Sequence, residues 1–378
     1  MKKILAIILI ISSILTLKFT GFKTFTVNAD YYSKASVVIE SSSKRVLSEK
    51  NKDERLAMAS TTKIMTALIT LENTENLDEE VKIDDRAVGI EGTSIYLKKG
   101  ETLTVKELLY GLMLASGNDA SMALAYHIGK GDMQTFVDLM NKKCEELNLK
   151  NTSFANPHGL DAENHYTSAY DLAVITSEAM KNEDFKEIVS TKFMQITGHK
   201  DVGNRYLRNK QRLLKTMEGC TGVKSGFTDN AGRCLVTSCM RDGMELICVV
   251  LNCPNMFEAS EKLINDAYSI YKMECIIEPY NYITNIPVNE GEFESVKVYS
   301  MKGFSYPLKE NEKELINIEK ELPEILDAPI EKEQIIGNLK VYFDKDIIFE
   351  ENIYTMEEVK SVDIKDKVKD IIDKWFYE

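Results

Sequence analysis

The chain has 378 residues, 44% of them hydrophobic and 28% charged, with only 7 Pro, enough to bury a substantial core and to fill two or three domains. Its formal net charge of −13 argues against a nucleic-acid-binding role. Four scattered histidines (His127, His158, His165, His199) and seven cysteines without a zinc-type CxxC pair indicate no metal site.

At the N-terminus Lys2 and Lys3 precede an apolar run from Ile4 to Leu17, and Val27-Asn28-Ala29 offers small residues for cleavage. This pattern predicts an export signal over 1–29, with the mature chain starting near Asp30. The alternative is an uncleaved membrane anchor, but Lys18 cuts the run short of the roughly 20 residues that a span needs. Cleavage removes Lys2, Lys3, Lys18 and Lys23 and no acid, so the mature body is more acidic still. Outside the cytoplasm one disulfide is compatible with the sequence, which does not choose its partners. Most of the cysteines (Cys144, Cys220, Cys234, Cys239, Cys248, Cys253, Cys275) read as small buried hydrophobes.

Residues Ala35–Glu40 and Val46–Glu49 flank a Ser/Lys/Arg turn and predict a hairpin. Ser60–Glu72 has helical apolar spacing, and Thr104-Val-Lys-Glu107 is a capping box before another apolar helix. A break at Ser116-Gly117-Asn118 separates that helix from one at about 119–128, with further helices at about 133–147, 169–181 and 257–271. Gly222–Thr228, Cys234–Met240 and Glu245–Leu251 read as strands joined by tight turns. Antiparallel strands mixed with helices, outside a βαβ rhythm, predict an α+β domain over 30–275 in which helices cover a sheet.

After Cys275 the runs Tyr280–Pro287, Ser295–Tyr299, Ile335–Phe343 and Ile347–Phe349 predict a β-rich domain over 276–355. The segment 356–378 places Val368, Ile371, Ile372, Trp375 and Phe376 on one helical face. Such a stripe suits a peripheral membrane contact. A helix packed on its own protein is the alternative, since the polar face mixes lysines with aspartates.

Three short motifs occur in a telling order: Ser60-Thr-Thr-Lys63, Ser116-Gly-Asn118 and Lys224-Ser225-Gly226. The first is weak alone, because Ser41…Lys44 and Ser269…Lys272 match it too. Those two read as a solvated turn and a helix end. Ser60 differs in opening a helix, where Lys63 shares its face and the serine N–H is free of intrahelical bonding. A desolvated lysine there can activate the hydroxyl. The other two motifs are unique in the chain, and the ordered set marks penicillin-binding proteins and serine β-lactamases.

On these motifs, and on Ala59–Thr66, Ala115–Ala120, Asn156-Pro-His-Gly-Leu160, Ala169–Leu172 and Gly222–Gly232, the chain resembles the low-molecular-mass penicillin-binding proteins of the D-alanyl-D-alanine carboxypeptidase family. The likeness runs from about residue 35 to the C-terminus and is strongest before 255. It implies that Ser60 attacks the bond between two D-alanines of a peptidoglycan stem peptide, that Lys63 takes its proton, and that Ser116 relays one to the leaving D-alanine. It implies further that Asn118 holds the substrate amide, that Lys224 and Ser225, with Gly226 beside them, bind the terminal carboxylate, and that the N–H groups of Ser60 and Phe227 form an oxyanion hole. β-Lactam antibiotics are then covalent inhibitors, and no cofactor is needed. Ser225 departs from the family's usual Thr, keeping the hydroxyl and losing a methyl. His158 is expected to shape a loop without a chemical role.

The rival readings are a β-lactamase, a DD-endopeptidase and a non-catalytic wall-binding module. Class A lactamases carry a deacylating Glu three residues before Leu-Asn, and here Cys144 stands at that place before Leu147-Asn148. A binding module is expected to have lost reactive groups from the three motifs, which are intact.

Overall fold

The computed structural model describes residues 33–197 and 203–362, together with the single positions 368 and 372. In chain order the first module contains β1 (Ala35–Glu40), β2 (Val46–Lys50), α1 (Lys63–Glu72), β3 (Glu80–Lys82), β4 (Thr102–Thr104), α2 (Val105–Tyr110), α3 (Asn118–Ile128) and α4 (Met133–Glu146). It continues through α5 (Ala169–Ala179), α6 (Glu183–Ser190), β5 (Phe193–Ile196), β6 (Arg205–Arg208), α7 (Leu213–Thr216), β7 (Cys220–Thr228), β8 (Gly232–Arg241), β9 (Met244–Leu251) and α8 (Met256–Ile270).

The central sheet is antiparallel with strand order β2-β1-β9-β8-β7. Strand residues alternate between its faces. Ala35, Val37, Ile39, Val236, Ile247 and Val249 join the core built with α1 to α6, and α5 lies against β1 and β9. Residues of the other parity face α8, where Ser260 Oγ donates to Thr237 Oγ1 at 2.9 Å. With helices on both faces, the middle strands lose the polar alternation of a one-sided sheet. That explains why β9 is almost wholly buried.

The Thr104 capping box is formed, with Glu107 N donating to Thr104 Oγ1 at 3.1 Å and Thr104 N to Glu107 Oε2 at 2.9 Å. Ser269 also behaves as expected, its hydroxyl closing the end of α8 on Asp266 O. The turn 41–45 does not, because Ser41 is buried and its hydroxyl lies 2.9 Å from that of Ser177 on α5. Lys44 donates to Ser41 O and to Ser177 Oγ. Burial, helped by nearby Lys181, pushes its pKa down to about 8. All seven cysteines are unpaired, five of them buried, with Cys220 half-buried and Cys275 exposed.

The second module begins with β10 (Lys272–Ile277) and continues through β11 (Asn281–Asn289), β12 (Ser295–Ser300), β13 (Phe304–Leu308), β14 (Ile316–Glu321), β15 (Leu326–Asp327), β16 (Ile335–Phe343) and β17 (Asp346–Thr355). Strands β10 and β13 pair, and the other six form a sheet in the order β14-β16-β17-β12-β11-β15. Its own core holds Ile286, Val296, Val298, Leu339, Val341 and Ile353. Val359 is buried in the same core and bridges Ile330, while Ser361 bridges Gly291. Residues 356–362 are therefore extended where a helix was expected. The rest of that helix lies outside the described residues apart from Val368 and Ile372, which are helical and exposed.

Arg45 joins the two modules. Its guanidinium lies 4.5–5.3 Å from the ring centres of Tyr271, Tyr306 and Phe343, pairs with Glu312 at 2.9 Å, and donates to Pro307 O. The pair is only 11% and 14% exposed, so deleting the arginine leaves a mostly buried carboxylate with Lys309 alone, its ammonium 3.9 Å away, and removes three cation–π contacts. Arg45→Ala is expected to cost about 2–4 kcal/mol, read as a lowered unfolding midpoint and faster proteolysis near residue 271. An unchanged midpoint rules out this role.

Candidate active site

Ser60 sits in a 3-10 turn, Ala59–Thr62, that leads into α1. The expected helix thus starts at Lys63, one turn later than its apolar spacing suggests. Thr61 Oγ1 donates to Met58 O at 2.6 Å and Thr62 Oγ1 to Ala59 O at 2.8 Å, and these i→i−3 bonds tighten the turn. Ala59 has φ +48°, a left-handed conformation that a non-glycine residue adopts at a cost and that often marks functional sites. It turns the chain sharply just before the serine.

Two glycines permit the close approach of neighbouring segments to this turn. A Cβ at Gly226 of β7 would lie 2.8 Å from Ser60 N, and one at Gly159 would meet Ala59 O at 2.0 Å. Position 226 therefore faces the Ser60 backbone. By strand alternation Lys224 shares that face, while Ser225 and Phe227 take the other.

Lys63 is fully buried. Its Nζ donates to Ser60 Oγ at 3.0 Å, to Asn118 Oδ1 at 2.7 Å and to His158 O at 2.5 Å. Burial holds its pKa well below the usual lysine value, the charges of Lys224 and Lys210 push the same way, and Asp119 opposes them. Lys224 is 1% exposed and donates to Ser225 O at 2.8 Å. Burial and the Lys210 charge bring its pKa to about 7. Two buried lysines in one field resist being charged together.

Ser116 follows a π-helical turn, Gly111–Ala115, and adopts φ +68°. It is 4% exposed, and among the described residues its hydroxyl has no hydrogen-bond partner. The helix break predicted there is thus a left-handed corner. Asn118 opens α3 with its N–H on Thr93 O at 2.7 Å. Its carboxamide is committed on both sides, accepting from Lys63 and donating to Glu91 O at 2.6 Å. One Nδ2 proton remains for another partner.

Sequence reasoning missed several supporting groups. The carboxylate of Asp119 accepts from Ser94 Oγ at 2.6 Å and from the N–H groups of Ile95 and Leu97, each at 3.0 Å, which fixes the loop beside Asn118. That loop is also gripped by Arg205 of β6, which donates to Ile95 O and Tyr96 O and pairs with Glu101 at 2.6 Å. The Asn-Pro-His-Gly stretch shapes a loop, but it also supplies carbonyls: Pro157 O accepts from Thr66 and Ser121, and His158 O from Lys63. The imidazole of His158 is pushed down to about pKa 3 by burial and by Lys63. It is neutral at ordinary pH. Lys210 acts electrostatically on both buried lysines, and no local pattern pointed to it. Asp119 was detectable in principle, as an acid in the first turn of a helix.

Phe227 is 58% exposed at the end of β7, with the Arg233 guanidinium 5.8 Å from its ring centre. Register pairs Phe227 with Arg233 and Ser225 with Leu235. Lys63 thus joins Ser60 and Asn118 through hydrogen bonds and feels the charge of Lys224, while Ser116 lies two residues before Asn118 at the left-handed corner and Ser225 and Phe227 take the outer side of the edge strand. A serine hydroxyl hydrogen-bonded to a lysine whose pKa burial lowers well below the usual value is an arrangement suited to nucleophilic catalysis. Among the described residues no group of three or more His, Cys, Asp or Glu is placed to hold a metal ion.

Comparison with known proteins agrees with this chemistry. Residues 23–255 match the family model for D-alanyl-D-alanine carboxypeptidase, and residues 271–361 match that for the C-terminal domain of penicillin-binding protein 5. The chain is 33% identical to the D-alanyl-D-alanine carboxypeptidase DacF of Bacillus subtilis, over 99% of each chain. Penicillin-binding protein 5 of Haemophilus influenzae has a similar structure, with a TM-score of 0.72 at 29% identity over 88% of this chain and 98% of that one. The DD-transpeptidase of Streptomyces K15 is similar with a TM-score of 0.60 at 32% identity, over 63% of this chain and 97% of its own. The α+β fold is therefore that of the penicillin-binding proteins and serine β-lactamases, followed by a β-rich domain. With its serine hydroxyl on a buried lysine, a family model matched over more than half of the chain and a relative matched end to end, the chain belongs to the D-alanyl-D-alanine carboxypeptidase family of serine peptidases.

Proposed function

We propose that Ser60 carries the acyl group in a serine-type D-Ala-D-Ala carboxypeptidase that trims the terminal D-alanine from peptidoglycan stem pentapeptides. The observation that carries this reading is the fully buried Lys63 ammonium nitrogen, 3.0 Å from Ser60 Oγ and held towards its neutral form. Neutral Lys63 takes the hydroxyl proton as Oγ attacks the carbonyl carbon of the penultimate D-alanine. The N–H groups of Ser60 and Phe227 receive the negative charge that develops on the carbonyl oxygen. The tetrahedral species collapses, the C–N bond breaks, and Ser116, whose hydroxyl is uncommitted, passes a proton to the departing amine. Water then attacks the ester, returning Ser60 and leaving a peptide one residue shorter.

Asn118 orients the reaction from both ends, fixing Lys63 through Oδ1 and offering its remaining Nδ2 proton to the substrate carbonyl. Lys224, Ser225 and Lys210 favour a free carboxylate over a continuing chain, with Gly226 giving the close approach. This charge preference sets the carboxypeptidase reading above an endopeptidase one. The same acylation chemistry makes β-lactams covalent inhibitors.

The reading includes a cleaved leader at 1–29, a catalytic domain that runs from about residue 30 to the end of α8, a β-rich domain from β10 to about residue 361, wider at both ends than the expected 276–355, and a terminal amphipathic helix beyond it that touches the membrane from outside. Lys2 and Lys3 before the Ile4–Leu17 run support the leader. Val368 and Ile372, exposed and one turn apart, support the helix. Among the described residues no helix is long and apolar enough to cross a membrane.

Mass spectrometry of pentapeptide muropeptides incubated with the protein tests the assignment. Loss of one alanine, with no cleavage of cross-links, is the expected result. Cleavage of cross-links alone redirects the assignment to an endopeptidase.

A further inference from the structure

A cavity of about 630 Å³ opens beside Ser225 and is lined by Arg208, Lys210, Arg212, Lys215 and Arg233, with no acidic side chain in its wall. What distinguishes these five is their gathering around one space without a carboxylate, since unpaired cations also occur singly elsewhere among the described residues. Sixteen other lysines and arginines are paired with carboxylates. None of these five has an ion pair or a side-chain hydrogen bond among the described residues. Desolvation of its amine end already lowers the Lys210 pKa. Phe257 forms part of the wall under the Arg212 guanidinium, 5.1 Å from the ring centre, which pre-orients one planar fork.

One substrate carboxylate at the mouth is served by Ser225, Lys210 and Lys224. A carboxypeptidase substrate ends at that group, so nothing of it continues into the cavity. Four further unpaired cations repel one another across a shared space and gain most from an occupant carrying several negative charges. Guanidinium forks match the oxygen geometry of phosphate. We propose that this cavity is a binding site for phosphate-bearing polyanions, and that its occupant competes with the peptide because both use the mouth at Ser225 and Lys210. The inference rests on the carboxypeptidase reading only for where the peptide ends; anion binding itself can be read without turnover.

Isothermal titration calorimetry of the full chain with inorganic tripolyphosphate at low salt tests binding directly, and peptide kinetics with the same probe test competition. Tripolyphosphate is expected to bind with one-to-one stoichiometry, to raise KM with kcat unchanged, and to weaken as salt is added. The double variant Arg212→Gln/Lys215→Gln, outside the acylation machinery, is expected to keep penicillin labelling while losing about tenfold or more in tripolyphosphate affinity. Competition by poly(glycerol phosphate) identifies a phosphodiester polymer as the occupant, and competition by the inorganic probe alone identifies free phosphates. No calorimetric binding at low salt, or equal affinity in the double variant, overturns the site. A protein that binds tripolyphosphate yet fails to hydrolyse the peptide instead overturns the functional reading and leaves the site standing.

Discussion

Ser60→Ala is expected to abolish labelling by a fluorescent penicillin and to lower turnover of a D-Ala-D-Ala peptide by about 10⁴–10⁶-fold. The size follows from the chemistry, because without Oγ no acyl-enzyme can form and only binding and oxyanion stabilisation remain. Lys63→Ala should lose activity on the same scale, and the double variant little more, since nucleophile and base act as one unit. Ser41→Ala and Ser269→Ala share the S-x-x-K pattern but remove a contact to α5 and a helix-end hydrogen bond, respectively. Both should keep full labelling if the protein remains folded. Undiminished labelling of Ser60→Ala sinks the nucleophile assignment.

The contrast between these three serines shows where sequence was sufficient. All three satisfy the pattern, and only Ser60 opens a helix whose lysine has companion motifs in fixed order. Chain order and local helix spacing are both displayed by a sequence. The precise start of α1 was not readable, because it depends on a left-handed Ala59 and two threonine back-bonds whose geometry is set by Gly159 and Gly226 pressing from distant segments. Ser41 was misjudged for the same reason: its burial comes from α5, more than a hundred residues away. The strands β5 and β6 went unseen as well, being short runs of four residues whose partner contacts, such as Arg205 on Glu101 and the loop at 95–96, come from distant sequence. The helix α6, by contrast, carries a local cap at Asn182 and was legible in principle. In the β-rich module four strands stood out through alternating runs, whereas β13 and β14 carry proline, serine or glutamate patterns that read as loops. Lys210 lies in no motif at all. Its influence on the two buried lysines is a through-space effect that only the folded arrangement reveals.

The second large effect concerns pH. The reactive form needs Lys63 neutral, to take the Ser60 proton, and Lys224 charged, to hold the substrate carboxylate. Lys63 starts well below the usual lysine range, so activity rises with pH as it loses its proton. Lys224, at about 7, loses its charge on the alkaline side of that value, so kcat/KM on a carboxylate-ended peptide should fall above about pH 7. The two groups disfavour each other's charge, and the limbs of the resulting bell belong to the pair. Bound carboxylate raises the Lys224 pKa, so the falling limb of kcat should lie at higher pH than that of kcat/KM. A peptide amidated at its C-terminus lacks the partner for Lys224. Its kcat/KM at the optimum should be lower by about ten- to a hundredfold, and its alkaline limb should disappear while the acidic limb stays. Measuring both substrates from pH 5 to 10 decides the matter: an alkaline limb that persists with the amide assigns it to a group other than Lys224.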